Sequence, residues 1–395
     1  MKVQCHEGFD SLPPRHAEFI DRAGRENLFM GRSWAEHLAT HDMVPPTHLV
    51  IFTAEDDDGR PRLVMPAADI PGTGSWRAPH TLASATHSEN FGPLCIPRDP
   101  ADGDDLGLLT RFFRALRRDG LAYGGGNYHL VRLCPLAKGS TEEATMRTAL
   151  GRAGFWVQPY ANSINAFEST AGIDHATYFA ARSSNMRYNL RRRRRNLEKA
   201  GQMEIRVLTT EAEVDRAMGD YIQVALASWK DPTTMVDTAT ADLMHLAARH
   251  GCLRMGLLYL DGRALAAQFW IVTGGGAHCV RLAYREDCRA MSPGVVLTDH
   301  MIRHVLDHDH ADEIGYGYGD DEYKEKWMHD QRQYLGLAAF NPRCRQGLVG
   351  GAIQIAGHGA KEALKKALGV ERLVPAPEHE RVRRLSNTGG PPPDP

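Results

Sequence analysis

The stretch LRMGLLYLDGRALAAQFWIVTGGGAHCVRLAY, residues 253–284, reads as three β-strands joined by two tight turns. Leu253 to Leu260 and Ala264 to Thr273 are apolar runs of strand length. Between them stands Asp261-Gly262, a pair that suits the left-handed backbone of a two-residue hairpin turn. Gly274-Gly275-Gly276 makes the second turn and Ala277 to Tyr284 the third strand. After a polar loop, Val295 to Leu306 keeps helical spacing through Val296, Ile302, Val305 and Leu306, and Glu313 to Tyr316 is a further short strand. Ser292-Pro293-Gly294 starts that helix: Ser292 is expected as its N-cap, Pro293 fits the first turn, and Gly294 allows a ligand close to the backbone. Free amides at Gly294 and Val295 then face outward, at the positive end of the helix dipole, where phosphate binds well.

The polar segment Tyr316-Gly-Tyr-Gly-Asp-Asp-Glu-Tyr-Lys324 follows. Its glycines have neither the spacing of a dinucleotide fingerprint nor the Gly-Lys-Ser/Thr of a P-loop, which excludes nucleotide hydrolysis of that type. Asp320, Asp321 and Glu322 are crowded carboxylates at the start of a short helix. They complement its dipole, and mutual repulsion would also raise the pKa of one of them, so that Asp320 or Asp321 could take a proton from an amine. Tyr316 and Tyr318 alternate along an extended strand and are expected on one face, either as proton donors to a leaving group or as packing in a pocket wall. Gln268, inside an apolar strand, and Arg281, on the neighbouring strand, need partners if buried and are candidates for the cleft.

Between Arg182 and Lys199 lie eight basic residues, including Arg191 to Arg195, against the single acid Glu198. Five successive arginines on a helix point in every direction, because each residue turns about 100°. Tyr178, Phe179, Met186, Leu190 and Leu197 supply an apolar side. The arginines either pair with acids on the surface or recognise phosphate through the forked guanidinium, with Arg191 and Arg194 as the candidate ligands.

Taken in order, the segment 185–195, the run Leu260 to Gln268, Ala283-Tyr284 with Ser292-Pro293-Gly294, and Tyr323-Lys324 through Trp327 resemble the GNAT superfamily of acyltransferases over residues 175–342. The similarity is greatest to the CelD-like branch of acetyltransferases, with Fem-type aminoacyl-tRNA-dependent transferases as more distant relatives. The resemblance implies an α/β fold of two GNAT-like units, with mixed, largely antiparallel sheets flanked by helices and the first unit degenerate. It also implies a donor gripped at Ser292, Gly294 and Val295, an acceptor site including Tyr284 and Tyr323, and Lys324 stabilising the reacting acyl group, as the lysine of the Fem-type aromatic-Lys pair does. The spaced-glycine loop of typical GNAT enzymes is absent, and Arg285 to Gly294 stands in its place. Acyl-CoA is therefore the expected cosubstrate and aminoacyl-tRNA the alternative, with an amine on a small molecule or glycan as acceptor. A non-catalytic binding module of the same fold is the third reading.

The 395 residues exceed one usual core and are expected to divide into 1–167, 168–345, a helical extension over 346–374 and a disordered tail from 375. Within the first unit, helices are expected at 13–23, 33–40 (capped by Ser33), 104–120 and 141–153, and strands at 47–54, 62–68, 128–133, 155–160 and 163–167. The net charge of −2 argues against a DNA-coating protein. Seven cysteines without a C-x-x-C pair imply reduced thiols rather than a disulfide framework or zinc site, hence a cytoplasmic setting. His304, His308 and His310 beside Asp307 and Asp309 form a metal-like cluster at an exposed helix end, and no bound metal is expected there. No signal peptide or membrane span is expected.

Overall fold

In the computed structural model, which describes residues 1–72, 80–84, 94, 96–99, 103–230, 235–318 and 322–368, the chain forms one mixed sheet from two topologically equivalent halves. The first half runs β1 (Lys2–His6), α1 (Pro14–Glu26), α2 (Arg32–His41), β2 (His48–Glu55), β3 (Pro61–Ile70), β4 (His80–Ser84), α3 (Asp105–Arg118), β5 (Tyr128–Ala137), α4 (Thr141–Ala153) and β6 (Trp156–Ser169). Two helices, α5 (His175–Ala181) and α6 (Ser184–Ala200), lead into the second half. That half runs β7 (Met203–Leu208), α7 (Glu211–Leu226), α8 (Thr238–Arg249), β8 (Leu253–Leu260), β9 (Arg263–Thr273), β10 (Gly276–Tyr284), α9 (Pro293–Asp307), β11 (Glu313–Tyr318), α10 (Glu322–Trp327) and β12 (Asp330–Phe340). A last helix, α11 (Arg345–Leu368), follows. Residues from 369 onward, including the expected tail, lie outside the described residues.

The strand order is β1-β2-β3-β4-β5-β12-β6-β11-β10-β9-β8-β7. Each half contributes four antiparallel strands and a parallel pair bridged by a helix, β4 with β5 across α3 and β10 with β11 across α9. The closing strands are exchanged. β6 of the first half lies against β11, β12 of the second lies against β5, and β6 and β12 pair with each other at the centre.

Local chemistry explains the elements. Asp261 (φ 50°) and Gly262 (φ 77°) take the left-handed conformations that the β8–β9 hairpin needs. Asp104 caps α3 by accepting from Gly107 N–H at 2.8 Å, and Leu108, Leu109, Phe112, Phe113 and Leu116 are buried along its inner face. Ser140 caps α4 in the same way, and Gly154 (φ 93°) ends it. Ser33 does not cap α2. The helix begins one residue earlier, after Gly31, and Ser33 instead bonds His250, the residue just past α8, at 3.1 Å. Residues 155–167 are not two strands but one, β6, whose register against β12 slips at Asn162.

Three buried clusters hold the halves together. Phe52, Phe112, Phe113 and Tyr128 centre the first half and reach Leu337 and Ala339 of β12. On one face of the second half's sheet, Tyr221 of α7 and Phe269 of β9 pack with Trp34 of α2. Trp270, Leu297, Met301 and Tyr316 pack beneath α9 on the other.

The parallel pairs of the two halves differ. β4 and β5 stay paired from His80 opposite Tyr128 to Ala83 opposite Arg132. The fully buried Asp69 ties them to β3, accepting from Tyr128 Oη at 2.6 Å and Tyr123 N–H at 2.8 Å and pairing with His80. Both carboxylate oxygens are occupied by the chain itself at the start of this parallel pair.

Candidate functional site

β10 and β11 pair for only three residues, Gly276 to His278 against Glu313 to Gly315, and then separate. Beyond His278, β10 keeps its ladder with β9 alone, with a bulge between Cys279 and Arg281, while Tyr318 of β11 pairs with Asn165 of β6. A gap thus opens between two parallel strands that stay joined at their starts. α9 begins at the mouth of this gap.

Ser292 departs from its expected role. It sits in the left-handed region (φ 52°, ψ 49°), and its side chain does not cap the helix. Its N–H bonds Arg289 O at 2.9 Å at the end of the 3-10 turn Glu286–Met291. Pro293 is buried, whereas Ser292, Gly294 and Val295 are half-buried. The first-turn amides of Gly294 and Val295 have no intrahelical acceptor, and no side-chain cap covers this end. A Cβ at 294 would stand 3.0 Å from the Tyr284 ring, so glycine is what lets the helix start lie this close to β10.

Gln268 does not line the cleft. It is 1% exposed beneath α9, donating to Thr298 Oγ1 at 2.6 Å and accepting from Trp270 Nε1 at 2.9 Å, so it positions the helix. Trp270 meets the Tyr316 ring edge-on at 5.6 Å, and Tyr316 meets Tyr323 at 6.4 Å. These contacts join Gly294, Tyr284, Gln268, Tyr316 and Tyr323 into one packed network around the start of α9.

Between Tyr316 and Tyr318 the backbone is not regularly extended: Gly317 takes φ 63° where the β11–β6 register shifts. Tyr316 is buried, and its hydroxyl has no hydrogen-bond partner of good geometry among the described residues. Burial holds its phenol well above the ordinary value, with Cys279 and Tyr178 adding to the shift and the nearby Thr298 hydroxyl opposing it.

Lys324, on α10, is 4% exposed, with its ammonium 6.0 Å from the Tyr323 ring centre. Burial drives the Cys279 thiol up to about 12 against the opposing charges of Lys230, Lys324 and Arg281, so Cys279 is no nucleophile. Asp320 and Asp321 lie outside the described residues, as does Gly319. Arg281, just past the bulge, donates to Val280 O at 3.1 Å.

The basic segment is not one helix. Arg182 ends α5 and is buried, and Ser183 then caps α6 by accepting from Met186 N–H at 3.2 Å. On α6, Arg194 pairs with Glu198 at 3.0 Å and Arg191 stacks over Phe179 at 5.4 Å, while Arg191, Arg192 and Arg195 are exposed. α6 packs on α9 and on the turn before it. Farther along α9, His304 and His308 approach ring to ring at 4.9 Å, and Asp309 is bound by Arg254 at 3.0 Å.

His278, the last residue before the strands part, carries an acid-sensitive contribution to stability. Burial, helped by the Arg332 charge, lowers its pKa from 6.5 to about 4. The unfolded chain binds this proton from about pH 6.5 downward and the folded chain only near pH 4. Stability is therefore expected to fall as the pH drops through that window, by about 3 kcal/mol at 1.36 kcal/mol per unit. Urea unfolding of wild type and His278→Gln at pH 7 and 5 checks this, and an unchanged pH slope in the variant would refute it.

Residues 184–325, about a third of the chain, match the model of the acetyltransferase (GNAT) domain. No curated protein matches the sequence. Among solved structures the chain is similar to FemX, at 11% identity and a TM-score of 0.58, over 87% of this chain and 98% of that one. It is also similar to a conserved protein of unknown function from Bacteroides thetaiotaomicron VPI-5482, at 9% identity and a TM-score of 0.50, over 86% and 100% of the two chains. At these identities the likeness is one of fold. Residues 184–325 thus match a GNAT acetyltransferase domain, within a two-part architecture whose fold is similar to that of FemX.

Proposed function

We propose that the protein transfers an acyl group from acyl-CoA to an amine on a small-molecule or carbohydrate-linked acceptor. The observation that carries this reading is the parting of β10 from β11 after His278 and Gly315, at the foot of α9. An extended thioester arm entering the gap would bond the unpaired edge of β10 as an added strand does. Its phosphates would meet the Gly294 and Val295 amides, with Arg191 and Arg194 on the adjoining α6 supplying further positive charge.

In this mechanism a neutral amine attacks the thioester carbonyl, and the new C–N bond gives a tetrahedral oxyanion. Lys324 and backbone amides stabilise that oxyanion, and Asp320 or Asp321 takes the amine proton. Collapse breaks the C–S bond, and the thiolate leaves with a proton from a tyrosine. Tyr316 suits that step because its raised pKa keeps the phenol protonated and its hydroxyl has no competing partner of good geometry among the described residues. Tyr318 is the alternative donor, and Tyr284, Arg281 and Tyr323 would border the acceptor. The six described cysteines are free, which suits a reducing cytoplasm, and no helix among the described residues is long and apolar enough to cross a membrane.

Mass spectrometry of the purified protein with a panel of acyl-CoA thioesters and amines is expected to detect amine-dependent release of coenzyme A. The missing glycine loop and the exposed Arg191, Arg192 and Arg195 favour aminoacyl-tRNA as the second donor. Binding to charged tRNA with none to any thioester, and loss of activity on ribonuclease treatment, would reverse the ranking. Ligand binding that survives Lys324→Ala without turnover from any donor would favour a binding module.

A further inference from the structure

Trp327 and His329 lie just past Lys324, where α10 turns into β12, and both are held by groups from other elements. Arg182, at the end of α5, donates to Trp327 O at 2.5 Å, and Tyr178 Oη donates to the same oxygen at 2.7 Å. Arg182 also forms an ion pair with Glu168, the penultimate residue of β6. Glu168 in turn accepts His329 N–H at 2.7 Å and faces His329 Nδ1 at 3.2 Å. Arg182 is 3% and Glu168 8% exposed, and the Arg182 guanidinium stacks 4.2 Å over the Tyr178 ring. Burial pushes the Glu168 carboxyl up, but the Arg182 and His329 hydrogen bonds outweigh it and hold the group below the ordinary value, so it stays ionised at neutral pH.

A six-residue helix has too few internal hydrogen bonds to hold its own orientation. We propose that Arg182 and Glu168 are positioning residues that fix α10, and through it the Lys324 ammonium, against the gap between β10 and β11. The clamp draws on three parts of the chain: a strand of the first half, the connecting helices, and the turn after α10. Glu168 lies on β6, so the first half thereby supplies a group on which the second half's site depends. This inference rests on the acyl-transfer reading for the reaction it serves, but not for the geometry it describes.

The test uses Arg182→Met, Arg182→Lys and the exchange Arg182→Glu with Glu168→Arg. Steady-state kinetics are measured with thermal unfolding and with the rate at which an amine reagent labels Lys324, read by mass spectrometry. Arg182→Met is expected to lower kcat about 100-fold, the cost of misplacing a reacting group by about 1 Å, with donor KM little changed, and to speed Lys324 labelling. Arg182→Lys should recover part of kcat. The exchange keeps the ion pair but should restore neither full thermal stability nor kcat, because glutamate at 182 cannot donate to Trp327 O and arginine at 168 cannot accept from His329 N–H. Restored kcat in the exchange, or wild-type kcat and labelling in Arg182→Met, would overturn the proposal. If Arg182→Met fails to fold, Tyr178→Phe removes one bond to the same carbonyl, and unchanged labelling and kcat there would overturn it equally. Faster labelling in a protein that releases no coenzyme A would uphold the clamp and sink the acyl-transfer reading.

Discussion

Lys324→Met is expected to lower kcat about 100- to 1000-fold, the effect of removing one oxyanion donor, or about 3–4 kcal/mol of barrier. Methionine keeps the length and apolar stem of the side chain and deletes only the charge. KM for the donor should move much less, because the groups proposed to bind its phosphates belong to α9 and α6 rather than α10. Lys324→Arg should not restore the rate, since a planar fork in a space shaped for an ammonium places its charge elsewhere. Steady-state kinetics over a range of donor and acceptor concentrations separate the two parameters, with circular dichroism to establish folding. Wild-type kcat in Lys324→Met would end the oxyanion role. Loss of donor affinity at unchanged kcat would instead make Lys324 a binding residue.

Most of the second half is legible in the sequence because its signals are local. Asp261-Gly262, the glycine turn at 274–276 and the spacing of Val296, Ile302, Val305 and Leu306 each lie within a few residues of the structure they specify. Lys324 and Tyr316 are legible as site candidates through the order of motifs, and the fold buries both beside Tyr323. Cap chemistry at Ser292 misleads. The serine is suited to capping, but the turn from Glu286 to Met291 delivers the chain in a left-handed conformation that turns its side chain away. Gly317, at φ 63°, likewise departs from the extended backbone that a strand period assumes, and no local signal marks it. β7 and β12 escape a reading by pattern. The first residues of β12, Asp330 to Gln333, are polar, and only pairing with a strand more than 150 residues earlier makes them regular. Arg182 and Glu168 are invisible as a pair for the same reason. Glu168 carries no motif, and Arg182 looks like the first member of an arginine run from which the structure separates it.

Cutting the chain between residues 169 and 170 is expected to leave neither fragment folded alone, although the division expected from the sequence places a boundary two residues earlier, after 167. β12 pairs with β6 through eleven residues, from Asp330 opposite Phe167 to Phe340 opposite Trp156, and β11 pairs with the other edge of β6. A fragment beginning at 170 loses the strand between them and exposes two apolar edges. The complementary fragment loses β12 from β5 and, with it, Leu337 and Ala339 from its core. At about 1 kcal/mol net per hydrogen bond, before any apolar burial, the lost pairing alone approaches the whole stability of an ordinary domain. Expressed separately, the fragments should be insoluble or unfolded. Expressed together, they should copurify as one complex and unfold in a single transition, because the exchanged strands make each half the template for the other. A fragment of residues 170–395 that unfolds cooperatively by itself and turns over substrate would show that β6 is dispensable, and the second half would then have no structural need of the first.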